Sequence, residues 1–207
     1  MQTDKATMGP CPKCDSSDAL ATYSDHTWCY SCKTYDGNED EIQTKPKVVS
    51  MNRNFNHTFK TADIPDRKIL ADTCKKYGVT VAFDGQVIVE HKYNYYDKDG
   101  NYKASKHRSV QVKDFWSEGP LNECGLFGQN VFNQSGKYIT VCEGELDAMS
   151  VFQLTGSKFP AVSIKNGAAS AVKNCKQQLD YLNKFETVVL CFDNDTQGKS
   201  AATEVAR

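Results

Sequence analysis

Hydrophobic and polar residues follow different periods along this chain, and the change near residue 60 divides it. Residues 1–60 carry almost no apolar periodicity. After Cys32 the chain passes through Asp36-Gly37-Asn38-Glu39-Asp40-Glu41 and Lys45-Pro46-Lys47 to Lys60 with neither a helical nor a strand pattern. So polar a segment cannot bury enough surface to order itself, and 36–60 reads as a flexible linker. From Ile64-Pro65-Asp66 the apolar spacing predicts a helix to Tyr77, closed by Gly78. A hairpin follows: Val87 to Tyr96 is rich in β-branched and aromatic residues, Asp97-Lys98-Asp99-Gly100-Asn101 supplies the turn, and Tyr102 to Arg108 returns.

From Tyr138 the pattern becomes strand, helix, strand, helix, strand, helix. Tyr138 to Cys142 is a short apolar run, Leu146 to Leu154 is helical and stops at Gly156, and Phe159 to Ile164 is a second run. Val172, Cys175, Leu179 and Leu182 then recur at helical spacing, Thr187 to Phe192 is a third run, and a helix starts at Gly198. This alternation predicts a mainly parallel sheet with right-handed crossovers, an α/β arrangement. Ligands bind such sheets outside the carboxyl ends of the strands. Glu143 follows the first of these strands and Asp193 the third.

Composition adds limits. A chain of 207 residues with 39% hydrophobic content has room for one medium domain with a real core and one small one. Met1 to Pro10 is polar, and no apolar run approaches the ~20 residues of a membrane span. Nine cysteines without a secretory signal indicate a reducing compartment. The net charge of −1 hides a division: Lys92, Lys98, Lys103, Lys106, Arg108 and Lys113 meet only Asp97 and Asp99 within 92–113, whereas carboxylates gather at 143–147 and 193–195.

Four of the cysteines form two tight pairs, Cys11-Pro12-Lys13-Cys14 and Cys29-Tyr30-Ser31-Cys32. A Cys-x2-Cys unit puts two thiolates on one knuckle, and two facing knuckles complete a closed tetrahedral zinc shell. A closed shell is structural. With almost no apolar periodicity over residues 1–60, something other than a core must hold this head, and metal ligation can supply that folding free energy. Two disulfides, or four unrelated buried cysteines, are the other readings. Cys74, Cys124, Cys142, Cys175 and Cys191 read as small core residues.

Glu143-Gly144-Glu145-Leu146-Asp147 and Asp193-Asn194-Asp195, with Gly198 after them, would gather up to five carboxylates at one sheet edge. Like charges at close range disfavour ionisation, and a divalent cation relieves this. All-oxygen ligation suits magnesium or manganese, and two such ions can clamp the oxygens of an in-line phosphoryl displacement. Taken singly, Glu145 and Asp147 also read as acids complementing a helix dipole, and Asp193-Asn194-Asp195 as a polar turn. Gly198-Lys199-Ser200 is not a phosphate loop, because Asp193 stands where that loop needs a glycine. Lys199 reads as the first turn of a surface helix.

The Glu-Gly-Glu-x-Asp and Asp-x-Asp-x-x-Gly pair on such a sheet resembles the Toprim fold of bacterial-type primases, type IA and II topoisomerases and some nucleases. With the four-cysteine ribbon ahead of it and the hairpin between, the chain from Pro10 to Arg207 resembles the primase half of the bifunctional primase-helicases of tailed bacteriophages. The resemblance implies a zinc ribbon at 1–35, a linker at 36–60, the N-terminal subdomain of a primase domain with a basic hairpin at 61–137, and a Toprim subdomain at 138–207. In that family the Toprim fold continues through a further strand, so this subdomain is expected to be C-terminally truncated.

Carried over by motif, the resemblance implies that Glu143, Asp193 and Asp195 bind catalytic magnesium or manganese, with Glu145 and Asp147 supporting. It implies that Lys106 and Arg108, in Ser105-Lys106-His107-Arg108, hold nucleotide phosphates and template, with Lys113 a further match. His26 and Trp28, in Asp25-His26-Thr27-Trp28, become candidates for template base contact and stacking. Lys106 and Arg108 also read as a solvated strand face, and Trp28 as a cover for the metal. The implied function is a DNA primase making short RNA primers on single-stranded DNA from ribonucleoside triphosphates in the cytoplasm of an infected bacterium. Its implied partners are a replicative helicase domain or subunit and a DNA polymerase, with no membrane. A Toprim nuclease or topoisomerase, and a non-catalytic zinc-ribbon module that binds single-stranded DNA, are the alternatives.

Overall fold

The computed structural model describes residues 6–14, 16–24, 26–32, 34–37, 58–112, 114–132 and 134–207. Most of the expected linker, together with Asp25 and Lys113, lies outside the described residues. The chain divides into two compact units, Met1–Asn54 and Phe55–Arg207.

The first unit is an antiparallel meander of four short strands, β1 (Thr7–Gly9), β2 (Leu20–Thr22), β3 (His26–Cys29) and β4 (Tyr35–Gly37), in that spatial order. Among its described residues the buried side chains are Cys11, Ala21 and Cys29. An alanine and two thiols cannot drive collapse, so cross-linking through the sulfurs must hold this sheet.

The second unit combines two sheets. The antiparallel one runs β5 (Phe59–Lys60), β6 (Thr80–Asp84), β7 (Val87–Tyr96), β8 (Tyr102–Ser109) and β9 (Phe115–Glu118), in that order. The parallel one places β10 (Gly136–Cys142) between β11 (Ala161–Ser163) and β12 (Phe185–Cys191). Helices α1 (Ala71–Tyr77), α2 (Glu145–Leu154), α3 (Ala171–Gln177), α4 (Leu179–Leu182) and α5 (Thr196–Val205) complete it. The expected hairpin and the parallel alternation are both present.

Two helices differ from the spacing. The expected Ile64–Tyr77 helix is a 3-10 turn at Pro65–Arg67 followed by α1, because Lys68 takes a left-handed φ of 54° and lets buried Ile64 and Ile69 pair as a β-bridge. Gly78 closes α1 as expected, with φ of 69°. The run from Val172 to Leu182 breaks at Gln178 into α3 and α4.

One core joins the two sheets. Tyr77 from α1, Tyr93 and Tyr95 from β7, and Met149 and Phe152 from α2 pack together with Phe127. The Phe127 ring lies 5.3 Å from Tyr77, 5.8 Å from Tyr93 and 5.7 Å from Tyr95, centroid to centroid. These are the separations at which aromatic pairs attract. The Tyr77 hydroxyl donates to the Ala161 carbonyl at 2.8 Å, and Phe127 and Ser163 form a bridge. On the other face of the parallel sheet, Ile139, Val141, Val162 and Ile164 pack against Ala171, Cys175 and Ala201.

Candidate catalytic and metal sites

The four ribbon sulfurs converge. Cys11 and Cys32 Sγ are 3.9 Å apart, Cys14 and Cys29 Sγ are 3.6 Å apart, and all four lie within 4.8 Å of one another. Tetrahedral ligation at a metal–sulfur distance of ~2.3 Å gives sulfur separations of ~3.8 Å, whereas a disulfide needs ~2.05 Å. The thiols are not cross-linked to each other, and their geometry fits one ion. The Cys32 amide points at Cys29 Sγ from 3.5 Å, as in a metal knuckle. The Thr34 hydroxyl, 3.0 Å from Cys32 Sγ, draws that thiol down to about 6, toward the thiolate a metal needs.

In the same unit His26 stacks with two tyrosines, Tyr23 at 4.4 Å and Tyr35 at 5.3 Å between centroids. Trp28 is two residues on in β3 and therefore leaves the sheet on the same side. Tyr30 and Tyr35 are exposed. Sequence reasoning found His26 and Trp28 but not the tyrosines around them, which sit in three different segments.

In the second unit Glu143 is half-buried just past β10. Its Oε1 accepts from the Ala168 amide at 3.2 Å and its Oε2 from the Asp193 amide at 3.4 Å. Burial first, and then the charges of Asp193 and Asp195, hold its carboxyl above the usual range. The three acids named from the sequence thus interact at one end of the parallel sheet. Their oxygens do not close into a shell like that of the four sulfurs. They are hard donors around a half-exposed carboxylate, which fits magnesium or manganese better than a softer metal.

Asp195 has a second task. It caps α5, its Oδ1 accepting from the Gly198 amide at 2.7 Å. Gly198 has no room for a side chain, because a Cβ there would overlap the Asp193 carbonyl oxygen. The Asp-x-Asp-x-x-Gly spacing is therefore that of a capped helix start folded tightly under Asp193. Lys199 is exposed in the first turn of α5, as expected. Asp147 lies at the exposed lip. Partial desolvation of its carboxyl raises it, the Asp193 charge adds to this, and Arg67 opposes it.

Glu145 is elsewhere. It is buried, and its Oε1 accepts from Tyr95 Oη at 2.6 Å and pairs with Lys106 Nζ at 2.8 Å. Lys106 Nζ also donates to the Lys165 carbonyl at 2.8 Å. Lys106 and Arg108 alternate onto the inner face of the antiparallel sheet and flank the Phe115 ring at 5.4 and 5.7 Å. Arg108 Nε is buried without an acceptor among the described residues. The reading of these two as a solvated strand face fails for Lys106, whose side chain is 14% exposed.

Strand alternation separates the other cations. Lys92 lies over Phe59 at 5.4 Å, and Lys103 pairs with Asp97 at 3.7 Å. Lys98 and Lys103 line a cleft of about 580 Å³ formed by the 97–103 turn, the 123–130 loop and residues of α3 and α4. Sequence reasoning missed Arg67, whose charge reaches Asp147 and His91 from the 3-10 turn, and Tyr95, which shares Glu145 with Lys106. Neither belongs to a recognisable spacing.

Comparison with known proteins identifies the family. The family described as Toprim-like matches residues 140–207. A DNA helicase/primase of Enterobacteria phage T3 is 32% identical over 211 residues, covering 96% of this chain; the chain spans 37% of that relative's length. The primase fragment of the bacteriophage T7 primase-helicase is 32% identical, with a TM-score of 0.66 covering 97% of this chain and 84% of that one. A chain in the complex of the T7 lagging-strand DNA polymerase with primase domains bound to an RNA/DNA hybrid and dTTP is 33% identical, with a TM-score of 0.65 covering 73% and 76%. From the cysteine knuckles to the capped Asp195, this chain belongs to the primase family of the bacteriophage primase-helicases.

Proposed function

We propose that the protein is a DNA primase that makes short RNA primers on a single-stranded DNA template. The observation that carries this reading is the meeting of Glu143 with the Asp193–Asp195 segment at the carboxyl end of the parallel sheet, where the Asp193 amide donates to Glu143 Oε2 at 3.4 Å and burial, with the two aspartate charges, holds the Glu143 carboxyl up. Glu143, Asp193 and Asp195 would hold magnesium or manganese, with Asp147 at the lip. When bound, two such ions supply charge neutralisation for the attacking and leaving oxygens of nucleotidyl transfer.

The chain's own residues do the rest. Backbone amides of Ala168 and Asp193 fix Glu143 from both oxygens. Lys106, held by Glu145 and the Lys165 carbonyl, offers a positioned cation for a triphosphate, and Arg108 offers a second. Glu145 therefore supports the site by orienting Lys106 rather than by direct ligation. Zinc at Cys11, Cys14, Cys29 and Cys32 would hold the ribbon, whose stacked His26, with Trp28, would meet template bases. Coupling to a helicase and a DNA polymerase rests on what the T3 and T7 relatives are.

The test is incubation with single-stranded DNA, magnesium and labelled ribonucleoside triphosphates. Short labelled RNA that disappears with EDTA supports the proposal. Shortened DNA would indicate a nuclease, and DNA binding with neither product would indicate a binding module.

A further inference from the structure

The parallel sheet carries a second chemistry directly behind its carboxylates. Strands β10 and β12 each end in a cysteine, Cys142 and Cys191, and these two are register partners in the ladder. Their side chains are close enough for Cys191 to add to the burial that raises the Cys142 thiol. Directly paired residues leave a sheet on one face, and neighbouring strands lie about 4.8 Å apart. That separation is inside the roughly 4.4–6.8 Å between Cα atoms that a disulfide spans. Cys142 is buried as expected, whereas Cys191, expected to be a core residue, is exposed, so one thiol meets solvent and the other waits behind it. Cys74, Cys124 and Cys175 are buried on separate segments of this unit.

Position gives the pair its interest. Glu143 is the residue after Cys142, and Asp193 is two residues after Cys191. The Asp193 amide donates to Glu143 Oε2 at 3.4 Å, so the strand ends already meet through these two acids.

We propose that Cys142 and Cys191 form a covalent modification site at which a hydroperoxide closes a cross-strand disulfide. The Cys191 sulfur attacks one oxygen of hydrogen peroxide: an S–O bond forms, the O–O bond breaks, and the thiol proton leaves in a first water. The Cys142 sulfur then attacks the sulfenic sulfur: the S–S bond forms, the S–O bond breaks, and the hydroxyl leaves as a second water with the Cys142 proton. Two thiols give up two electrons and one peroxide is reduced to two waters. The link fixes the ends of β10 and β12 together, so the spacing of Glu143 and Asp193 becomes dependent on redox state. A dithiol reductant reverses it.

The experiment treats the zinc-loaded full chain with one equivalent of hydrogen peroxide, alkylates remaining thiols, and digests with trypsin without reductant. Tryptic cleavage places Cys142 in residues 138–158 and Cys191 in residues 185–199, each as the single cysteine of its peptide. The expected result is a linked species of these two peptides that dithiothreitol separates, formed while a chromophoric chelator still detects no released zinc. Cys191→Ser should yield none of it. Separate alkylated peptides from a chain whose ribbon has already lost zinc would overturn the proposal. So would Cys191 recovered as a sulfinic acid beside an alkylated Cys142.

Discussion

Lys106 Nζ lies 2.8 Å from Glu145 Oε1, and both side chains are nearly closed to solvent, at 14% and 6% exposure. The pair ties β8 of the antiparallel sheet to the first turn of α2 beside the parallel sheet. Removing one member of such a pair leaves an uncompensated buried charge and costs about 3–5 kcal/mol, whereas replacing both with apolar residues is far milder. Lys106→Met should therefore lower the unfolding free energy in urea by about 3 kcal/mol, and Lys106→Met/Glu145→Leu should recover most of that. A double variant as unstable as the sum of its singles would show that the two side chains are not coupled.

Stability in the absence of metal should depend on Glu143 and pH. Its carboxyl is held above the ordinary range by burial and then by the charges of Asp193 and Asp195. A carboxyl raised in the folded state contributes stability that is complete below its unfolded value, about 4.3, and lost as pH rises through the higher folded value. In EDTA, the melting temperature of the wild type should fall relative to Glu143→Gln as pH rises from about 4 to 7. Magnesium should restore the wild type more than the variant. Parallel pH curves for the two proteins would contradict the crowding of acids at this edge.

Asp195 should separate into two roles by substitution. Asparagine caps a helix about as well as aspartate, so Asp195→Asn should keep the melting temperature while weakening manganese binding, read by electron paramagnetic resonance. Asp195→Ala should lose about 1 kcal/mol of stability in addition. An Asn variant that binds manganese like the wild type would remove Asp195 from the metal site.

In the ribbon, Cys29→Ser should release the bound metal, measured by atomic absorption, and the unit should lose its strands. Ala21 is its buried non-cysteine side chain among the described residues, and it cannot hold the sheet without the sulfurs. De novo initiation should then fall more than extension of a supplied primer. Equal losses in both assays would count against a template-reading head.

What the sequence revealed depended on how local each signal was. The two Cys-x2-Cys knuckles and the hairpin around Asp97–Asn101 are written in contiguous residues, and both stand where the spacing puts them. The strand–helix alternation from 138 onward gave the parallel sheet and brought Glu143 toward Asp193. The apolar spacing predicts helix across Pro65–Arg67, and the turn there becomes visible only once Ile64 and Ile69 form their bridge. Glu145 illustrates the harder limit. Its neighbours in sequence are the acids proposed to hold magnesium, but its partners are Tyr95 and Lys106, 50 and 39 positions away, and packing between two sheets decides that choice. The same holds for Arg67 and for the tyrosines around His26, whose roles exist only in the folded arrangement.

The measurement that bears most directly on the account is primer synthesis by Glu143→Gln beside the wild type, on single-stranded DNA with magnesium and labelled ribonucleotides, with DNA binding followed in parallel. The account predicts that synthesis drops by roughly 10²-fold or more, the scale on which preorganised electrostatic groups act, while DNA binding is unchanged. Undiminished RNA synthesis by the variant would contradict it.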